Sequence, residues 1–578
     1  MSPKKEKSRF LEFRHHPHGT KNPDGSLMLN RYSSILTNGY EFPGAQAMLY
    51  AAGIKNQEDM RSKPQVVLDL GNTVKEGLEK NGMIGWQFNT IGVSDAITMS
   101  NQGMRFSLQS RDIIADSVET TTCAQAHDAN ISIPGCDKNM PGCIMAMARH
   151  NRPSLMIYGG SIKGGFSERL KQPVNISSCF EAHGAMMYGK LTTDDLDDVI
   201  RNACPGPGGC GGMYTANTMA TAIEAMGLTL PGSSSTPAEG AAKRRECLAA
   251  AAAIKVCLEK DIKPRDLITK ESLENALVMT MALCGSTNAV LHFLAISHSA
   301  DLDLTIDDFQ RVADKIPVLA DLKPSGKYMM YDLYELGGTP SVLKYFIQVN
   351  LINGNIPTVT GKTLAENVAS APDLMSMKQD IIRSIESPIK ATGHIRILKG
   401  NLAPGGAVAK ITGKEGKKFI GTARVYNGEE QLMKSLEKGE IKPSESTVLV
   451  VRYEGPKGGP GMPEQLKTSA ALMGAGLTNA SEAVLKLTCQ TPLASHGFIV
   501  GHVVPEAQCG GPIAVLQDGD VVTIDAELNQ LNVDLSDEEI ATRLKSWKAP
   551  KPKVNRGTLS KYIHLVSDAS HGAILDMF

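Results

Sequence analysis

The chain has 578 residues, with 60 basic and 61 acidic side chains and a formal net charge of −1. That length exceeds what one core can organise, so two or three domains are expected, and the balanced charge offers no electrostatic basis for binding nucleic acid or an anionic membrane. No apolar run approaches the roughly 18 residues needed to cross a bilayer, so no transmembrane helix is expected.

In chain order, residues 1–29 read as an N-terminal arm. Its opening, MSPKKEKSRF, is basic, but no apolar core follows it, and Glu6 and Glu12 spoil it as a presequence. An intracellular protein of the mitochondrial matrix or cytoplasm is the expectation. HHPHG, from His15, could hold a metal but fits a solvated arm better. KPQVVLDLGNTVKEG (63–77) reads as a strand running into a helix, and NTIGVSDAITMS sets Asp95 in glycine-rich surroundings. ANISIPG (129–135) alternates as a short strand and leads into CDKNMPGC, which holds Cys136, Asp137, Lys138 and Cys143. CIMAMARHN then has helical character. RPSLMIYGGS (152–161) is a buried-strand pattern, and ACPGPGGCGG (203–212), with Cys204 and Cys210, opens the helix predicted in MYTANTMATAIEAMGL. LCGSTNAVLHFLAISHS (283–299) repeats the arrangement of a glycine–serine turn opening a helix.

Strand, glycine loop, helix is the α/β pattern, with loops gathered at the carboxyl ends of the strands and helix N-termini suited to carboxylates. VTGKTLAEN looks like the end of a phosphate loop, but Ile356 stands where its first glycine is required, so a turn before a helix is expected. The segment 369–386 is the expected junction. Beyond it the text turns to short β-like runs between glycine turns, including STVLVVRYEG, GGPIAVLQ and DGDVVTIDAELNQLNVDL. KITGKEGKK (410–418) reads as a solvated turn, and the DG between two apolar runs signals a hairpin. The predicted architecture is an α/β domain at 30–385 with glycine-rich loops at strand ends, and a smaller, mostly β, barrel-like domain at 386–578.

Eleven cysteines without a CxxC spacing favour buried thiols or metal ligands over a disulfide framework. Taken alone, each close cysteine pair reads first as small core residues. The loop at 136–138 is chemically mixed: sulfur suits iron or an iron–sulfur cluster, whereas a carboxylate suits magnesium. A lysine is no ligand while protonated and becomes an oxygen ligand only if carbon dioxide carbamylates its amine. Asp95 and Glu464, the latter in GGPGMPEQL, read equally well as helix caps or turn residues.

Seven ordered stretches carry a resemblance: NTIGVSDAITMSNQGMRFSLQSRDIIADSVE, GCDKNMPGC, ACPGPGGCGGMYTANTM, GSTNAVLH, GNLAPGGAVAKITGKEG, RYEGPKGGPGMPE and SHGFIVGHVVPEA. Together they resemble the dihydroxy-acid dehydratases, whose family includes sugar-acid and phosphogluconate dehydratases, over most of the chain from about residue 30. The phrasing of the two cysteine loops is more similar to the branched-chain amino-acid enzyme than to its sugar-acid relatives. The resemblance implies a homodimer with a [2Fe–2S] cluster and Mg²⁺ that converts a small 2,3-dihydroxy carboxylate to a 2-keto acid plus water. Carried over by position, Cys136 and Cys210 would be cluster ligands, and Asp95, Asp137, carbamylated Lys138 and Glu464 would surround magnesium.

Two departures from the family pattern bear on activity. The family's first cluster cysteine lies in an NPCNMHL-type segment that is absent around residues 63–77, and no cysteine precedes Cys123. The family also carries a DGRFSGG-type loop whose serine is the proposed base; here LKLTCQTPLASHGF puts Pro492 in that place, and proline has no hydroxyl. An inactive paralogue or partner subunit, a reading-frame difference, or substitution by Cys123, Cys143 or Cys489 as ligand and Ser495 as base are the alternatives. Substitution ranks lowest, because a serine three residues from the base position would point elsewhere, and the intact flanking text favours a reading-frame difference over drift. Sequence alone leaves the catalytic base unassigned.

Overall fold

The computed structural model describes residues 21, 25–26, 42–51, 66–99, 101–413, 416–441, 446–477, 485–488 and 498–577. The arm, HHPHG, Cys489, Pro492 and Ser495 lie outside those residues or almost wholly so.

The N-terminal region is rich in helix. Its small parallel pair, β1 (Asn130–Ser132) and β2 (Ser154–Met156), is joined by α1 (Asn139–His150), and Thr229 bridges to Met156 on the far side. The predicted strands at 129–135 and 152–161 are therefore present, each reduced to three residues. This βαβ unit puts the 133–138 loop at the carboxyl end of β1, where α/β folds display their chemistry. Asn151, in the left-handed conformation that asparagine tolerates, ends α1. The stretch predicted as a strand before residue 70 is helix Val66–Lys80 over its described part. Its apolar residues Leu70 and Val74 face the core at helical, not alternating, spacing. β3 (Gly165–Ser167) and β4 (Gln172–Val174) form a separate hairpin. GKT leads into the short helix Leu364–Val368, with Thr363 as its cap and Glu366 closing the capping box, so the turn-before-helix reading is correct.

The C-terminal region is built on a closed barrel of β5 (Ile395–Gly400), β6 (Ala403–Lys410), β7 (Lys418–Tyr426), β8 (Thr447–Val451), β9 (Leu485–Thr488), β10 (Ile499–Gly501), β11 (Val521–Asp525) and β12 (Gln530–Val533), in the order β10-β6-β5-β12-β11-β7-β8-β9. Strand β8 shows why its text is uniformly apolar. Val448 and Val450 point into the barrel, while Leu449 and Val451 pack under outer helices, so both faces are buried. The hairpin signal was misplaced. The residues before Asp518–Gly519 form a 3₁₀ turn at Pro512–Val515, and the β11–β12 hairpin closes at 526–529. There Asp525 accepts from the Glu527 and Leu528 N–H groups, so an Asx turn replaces Asp-Gly.

The two regions share one apolar interior. Ile395, Ile397 and Val408 on the barrel's outer face belong to the large N-terminal core, whereas Leu398, Ala407 and Ala409 fill the barrel. A second seam pairs α2 (Ile176–Met187) with α4 (Leu466–Ala475), which approach through glycines. A Cβ at Gly184 would collide with the Ala471 carbonyl, and one at Gly474 with that of Glu181. Gly184→Val is expected to destabilise the chain by about 1–3 kcal/mol or more through overpacking, read as a lowered thermal midpoint; an unchanged midpoint would show that the seam yields freely. Among the described residues no helix is long and apolar enough to cross a membrane.

Candidate metal centre

Three acidic side chains meet at Lys138, the four residues coming from three distant segments. Its Nζ lies 2.5 Å from Asp95 Oδ2, 2.5 Å from Glu464 Oε1 and 3.9 Å from Asp137 Oδ2. Asp95 is 4% exposed and Asp137, Lys138 and Glu464 1% each, so water does not screen these charges. Asp95 opens the short helix Asp95–Thr98, Asp137 and Lys138 lie between β1 and α1, and Glu464 precedes α4. The helix-cap reading of the outer acids fails. Ser94 and Gln465 occupy the cap positions, and both carboxylates turn to the lysine instead.

Neighbours hold these groups in place. The Ser107 hydroxyl donates to Asp95 Oδ1, and the Asn288 amide to Glu464 Oε1. Asn288 begins α3 (Asn288–Ser299), the helix opened by the glycine–serine turn. That turn is held from the barrel side, where Lys410 donates to the Cys284 and Gly285 carbonyls. Nothing in the sequence around Ser107 and Asn288 assigns either of them a role. Their signal was only a polar residue at the mouth of a helix.

The electrostatics are those of a crowded anionic site. Burial drives the Asp137 carboxyl well above its usual range, and the charge of Asp95 adds to the rise while Lys138 opposes it. Glu464 is also raised, by burial first, with Lys138 pulling the other way. For Lys138, burial works against the charge, but Asp95, Glu464 and Asp137 overrule it and hold the ammonium above its ordinary value. Neither oxygen of Asp137 nor Oε2 of Glu464 accepts a hydrogen bond among the described residues. Acceptors buried without donors are costly unless a cation takes their lone pairs. One oxygen from each of Asp95, Asp137 and Glu464 falls within 4.8 Å of the others, the only such acid, cysteine or histidine trio among the described residues. An all-oxygen set of this kind fits Mg²⁺.

The sulfur side is adjacent. Cys136 is half-buried, and its Sγ accepts the Asp95 N–H at 3.5 Å. Cys210, also half-buried, follows Gly209, where a Cβ would run into the Tyr158 hydroxyl and lie 3.3 Å from the Gly135 carbonyl. The two cysteine loops are thus in contact. Asn217 pins the second one, donating at 2.6 Å to both the Cys210 and Gly212 carbonyls while accepting from Tyr158 at 3.0 Å. Burial pushes both thiols well up, and the charge of Asp137 adds to each. Both therefore remain protonated until a metal displaces the proton.

No third cysteine completes the pair among the described residues. Cys123 is exposed near the end of the helix Ser107–Ala124, and Cys143 is enclosed in the apolar core, its thiol pushed up to about 12 by burial. Neither of these suggested substitutes joins Cys136 and Cys210. The donor set fits a divalent cation fully, and an iron–sulfur cluster only through two thiols.

A family model described as Dihydroxy-acid/6-phosphogluconate dehydratase N-terminal matches residues 53–367, and its C-terminal counterpart matches 380–573. The chain is 54% identical over 572 residues to the mitochondrial dihydroxy-acid dehydratase of Aspergillus fumigatus, covering 95% of this chain and 94% of that protein. It is 52% identical over 567 residues to the mitochondrial enzyme of Saccharomyces cerevisiae, with 95% and 96% covered. With the chloroplastic dihydroxy-acid dehydratase of Arabidopsis thaliana the identity is 51% over 563 residues, covering 95% and 91%.

Proposed function

Because the chain belongs to the dihydroxy-acid/6-phosphogluconate dehydratase family, we propose that it is a hydro-lyase acting on a 2,3-dihydroxy carboxylate in branched-chain amino-acid biosynthesis. The reaction removes the C2 proton and the C3 hydroxyl as water, and the resulting enol relaxes to the 2-keto acid. The observation that carries the reading is the loop at 133–138. One turn of backbone presents a thiol beside a second cysteine loop and, on the next two residues, a carboxylate and an amine facing two more buried acids.

Asp95, Asp137 and Glu464, joined by Lys138 once carbamylated, would hold Mg²⁺. When bound, that ion supplies charge to gather the substrate carboxylate and C2 hydroxyl and to acidify the C2 proton. Ser107 and Asn288 keep two of the acids aimed inward, in surroundings that leave Asp95, Asp137, Lys138 and Glu464 buried. Cys136 and Cys210 would be the cluster ligands of this chain. Those two thiols are the only part of a cluster's ligand set that the described residues supply. Pro492, where the family has its base serine, cannot accept the C2 proton, so slow turnover is expected of this polypeptide. A homodimer and an intracellular location complete the proposal, the location supported by fungal relatives named mitochondrial.

A panel of branched-chain and sugar-derived dihydroxy acids, assayed for keto acid after anaerobic reconstitution, tests the substrate class. Preference for the branched-chain precursors by at least tenfold is expected. Preference for a sugar acid would move the chain to that branch of the family. No keto acid alone, together with co-purification of an intact relative, would make it a partner subunit.

A further inference from the structure

The site's two outer acids sit on segments separated by hundreds of residues, and an ion pair joins those segments at a fixed remove. Arg105 follows Asp95 by ten residues, and Glu454 precedes Glu464 by ten. Arg105 grips Glu454 with both arms of its guanidinium, Nη1 to Oε2 at 2.9 Å and Nη2 to Oε1 at 3.4 Å. The pair is buried, with Arg105 8% and Glu454 3% exposed. Gln102 fixes the guanidinium by accepting from Nε at 2.8 Å, and Lys553 donates to Glu454 Oε2 at 3.2 Å.

Between the pair and the acids the two segments press together directly. A Cβ at Gly461 would collide with the Arg105 carbonyl, so only glycine lets the backbones come this close. Met104 and Leu466 share one apolar cluster on the same seam. The separation of Asp95 from Glu464 is thus set at both ends, by Lys138 at the site and by Arg105–Glu454 beyond it.

We infer that Arg105 and Glu454 are positioning residues that clasp the Asp95 and Glu464 segments at the spacing a divalent cation requires. This rests on the reading of Asp95, Asp137 and Glu464 as that cation's ligands. The clasp touches neither cation nor substrate. It acts by removing the freedom of the two outer ligands to spread, so its loss weakens cation binding without removing a ligand. Lysine cannot replace the arginine, because a single ammonium lacks the fork that fixes orientation as well as distance.

The test uses Mn²⁺ as the probe and titrates binding to the full chain by electron paramagnetic resonance. Arg105→Lys keeps the charge, and Arg105→Met/Glu454→Met removes the pair with little change of volume, so folded protein is expected from both. Each should loosen Mn²⁺ binding by about tenfold or more. Arg543→Met, which breaks a barrel ion pair to Asp520, is a stability control and should bind Mn²⁺ as the parent does. Parental affinity in both clasp variants, with Glu464→Gln binding lost, overturns the clasp and leaves the ligand reading intact. Parental affinity in Glu464→Gln overturns the ligand reading itself. Hydrogen exchange on the unmodified chain gives an independent result: Mn²⁺ should slow exchange at 102–106 and 454–458 together, and protection confined to 136–139 would overturn the clasp.

Discussion

Lys138→Met is expected to unfold well below the parent chain in EDTA, and the deficit should be larger at pH 8 than at pH 5. The ammonium is the only cation among the four groups that meet at the site, with two carboxylate oxygens 2.5 Å away. Removing one partner of a buried ionic cluster costs about 3–5 kcal/mol, because the remaining charges stay buried and uncompensated. Asp137 and Glu464 already have raised folded-state pKa values, and loss of the cation raises them further. A carboxyl raised in the folded state is protonated there while the unfolded chain has already ionised. The penalty is therefore absent below the ordinary carboxyl pKa of about 4 and grows as pH rises toward the folded value. Thermal unfolding at the two pH values measures it, and equal midpoints for variant and parent would mean the lysine is not compensating the acids. The same variant should lose a response the parent shows. Bicarbonate should tighten Mg²⁺ binding to the parent, whose lysine can become a carbamate oxygen donor, and leave the variant unchanged.

Anaerobic reconstitution with iron and sulfide is expected to give a cluster of low occupancy that is lost on desalting. Two thiols from neighbouring loops can capture iron, but the family resemblance implies a third cysteine, and none joins them among the described residues. Cys136→Ser or Cys210→Ser should abolish the remaining visible absorption. Keto-acid formation should run at least 10²-fold below that of a relative carrying the missing segment, since both a ligand and a base are affected. Full iron and sulfide content with ordinary turnover would refute this and direct attention to residues 52–65 and 478–497.

How much of this was legible in the sequence depends on the range of each interaction. The loop at 133–138 could be read because its signals are local: a short alternating run, a proline and glycine, then helical spacing. The helices opened by the glycine loops were legible for the same reason. The segment before residue 70 was not, because VVLDL suits a strand by propensity, and only its packing through Leu70 and Val74 makes it helix. The hairpin went to Asp518–Gly519 because Asp-Gly is the strongest short-range turn signal. The chain used Asp525 instead, whose side chain builds the turn without glycine. Asp95, Asp137, Lys138 and Glu464 came from family resemblance rather than spacing, since nothing in residues 95 and 464 taken separately says that they share a lysine. Arg105 and Glu454 were invisible altogether. Their pairing spans most of the chain and leaves no periodic trace.

The outward side of β5 and β6 has one further consequence. Ile395, Ile397 and Val408 are part of the same interior as the N-terminal helices, so the barrel is a wall of its neighbour rather than an appendage. A gene cut between the two matched regions would yield a pair of fragments, each with an oily wound, soluble only if made together. Nor can the halves swing apart like jaws to admit a guest without baring that shared oil to water.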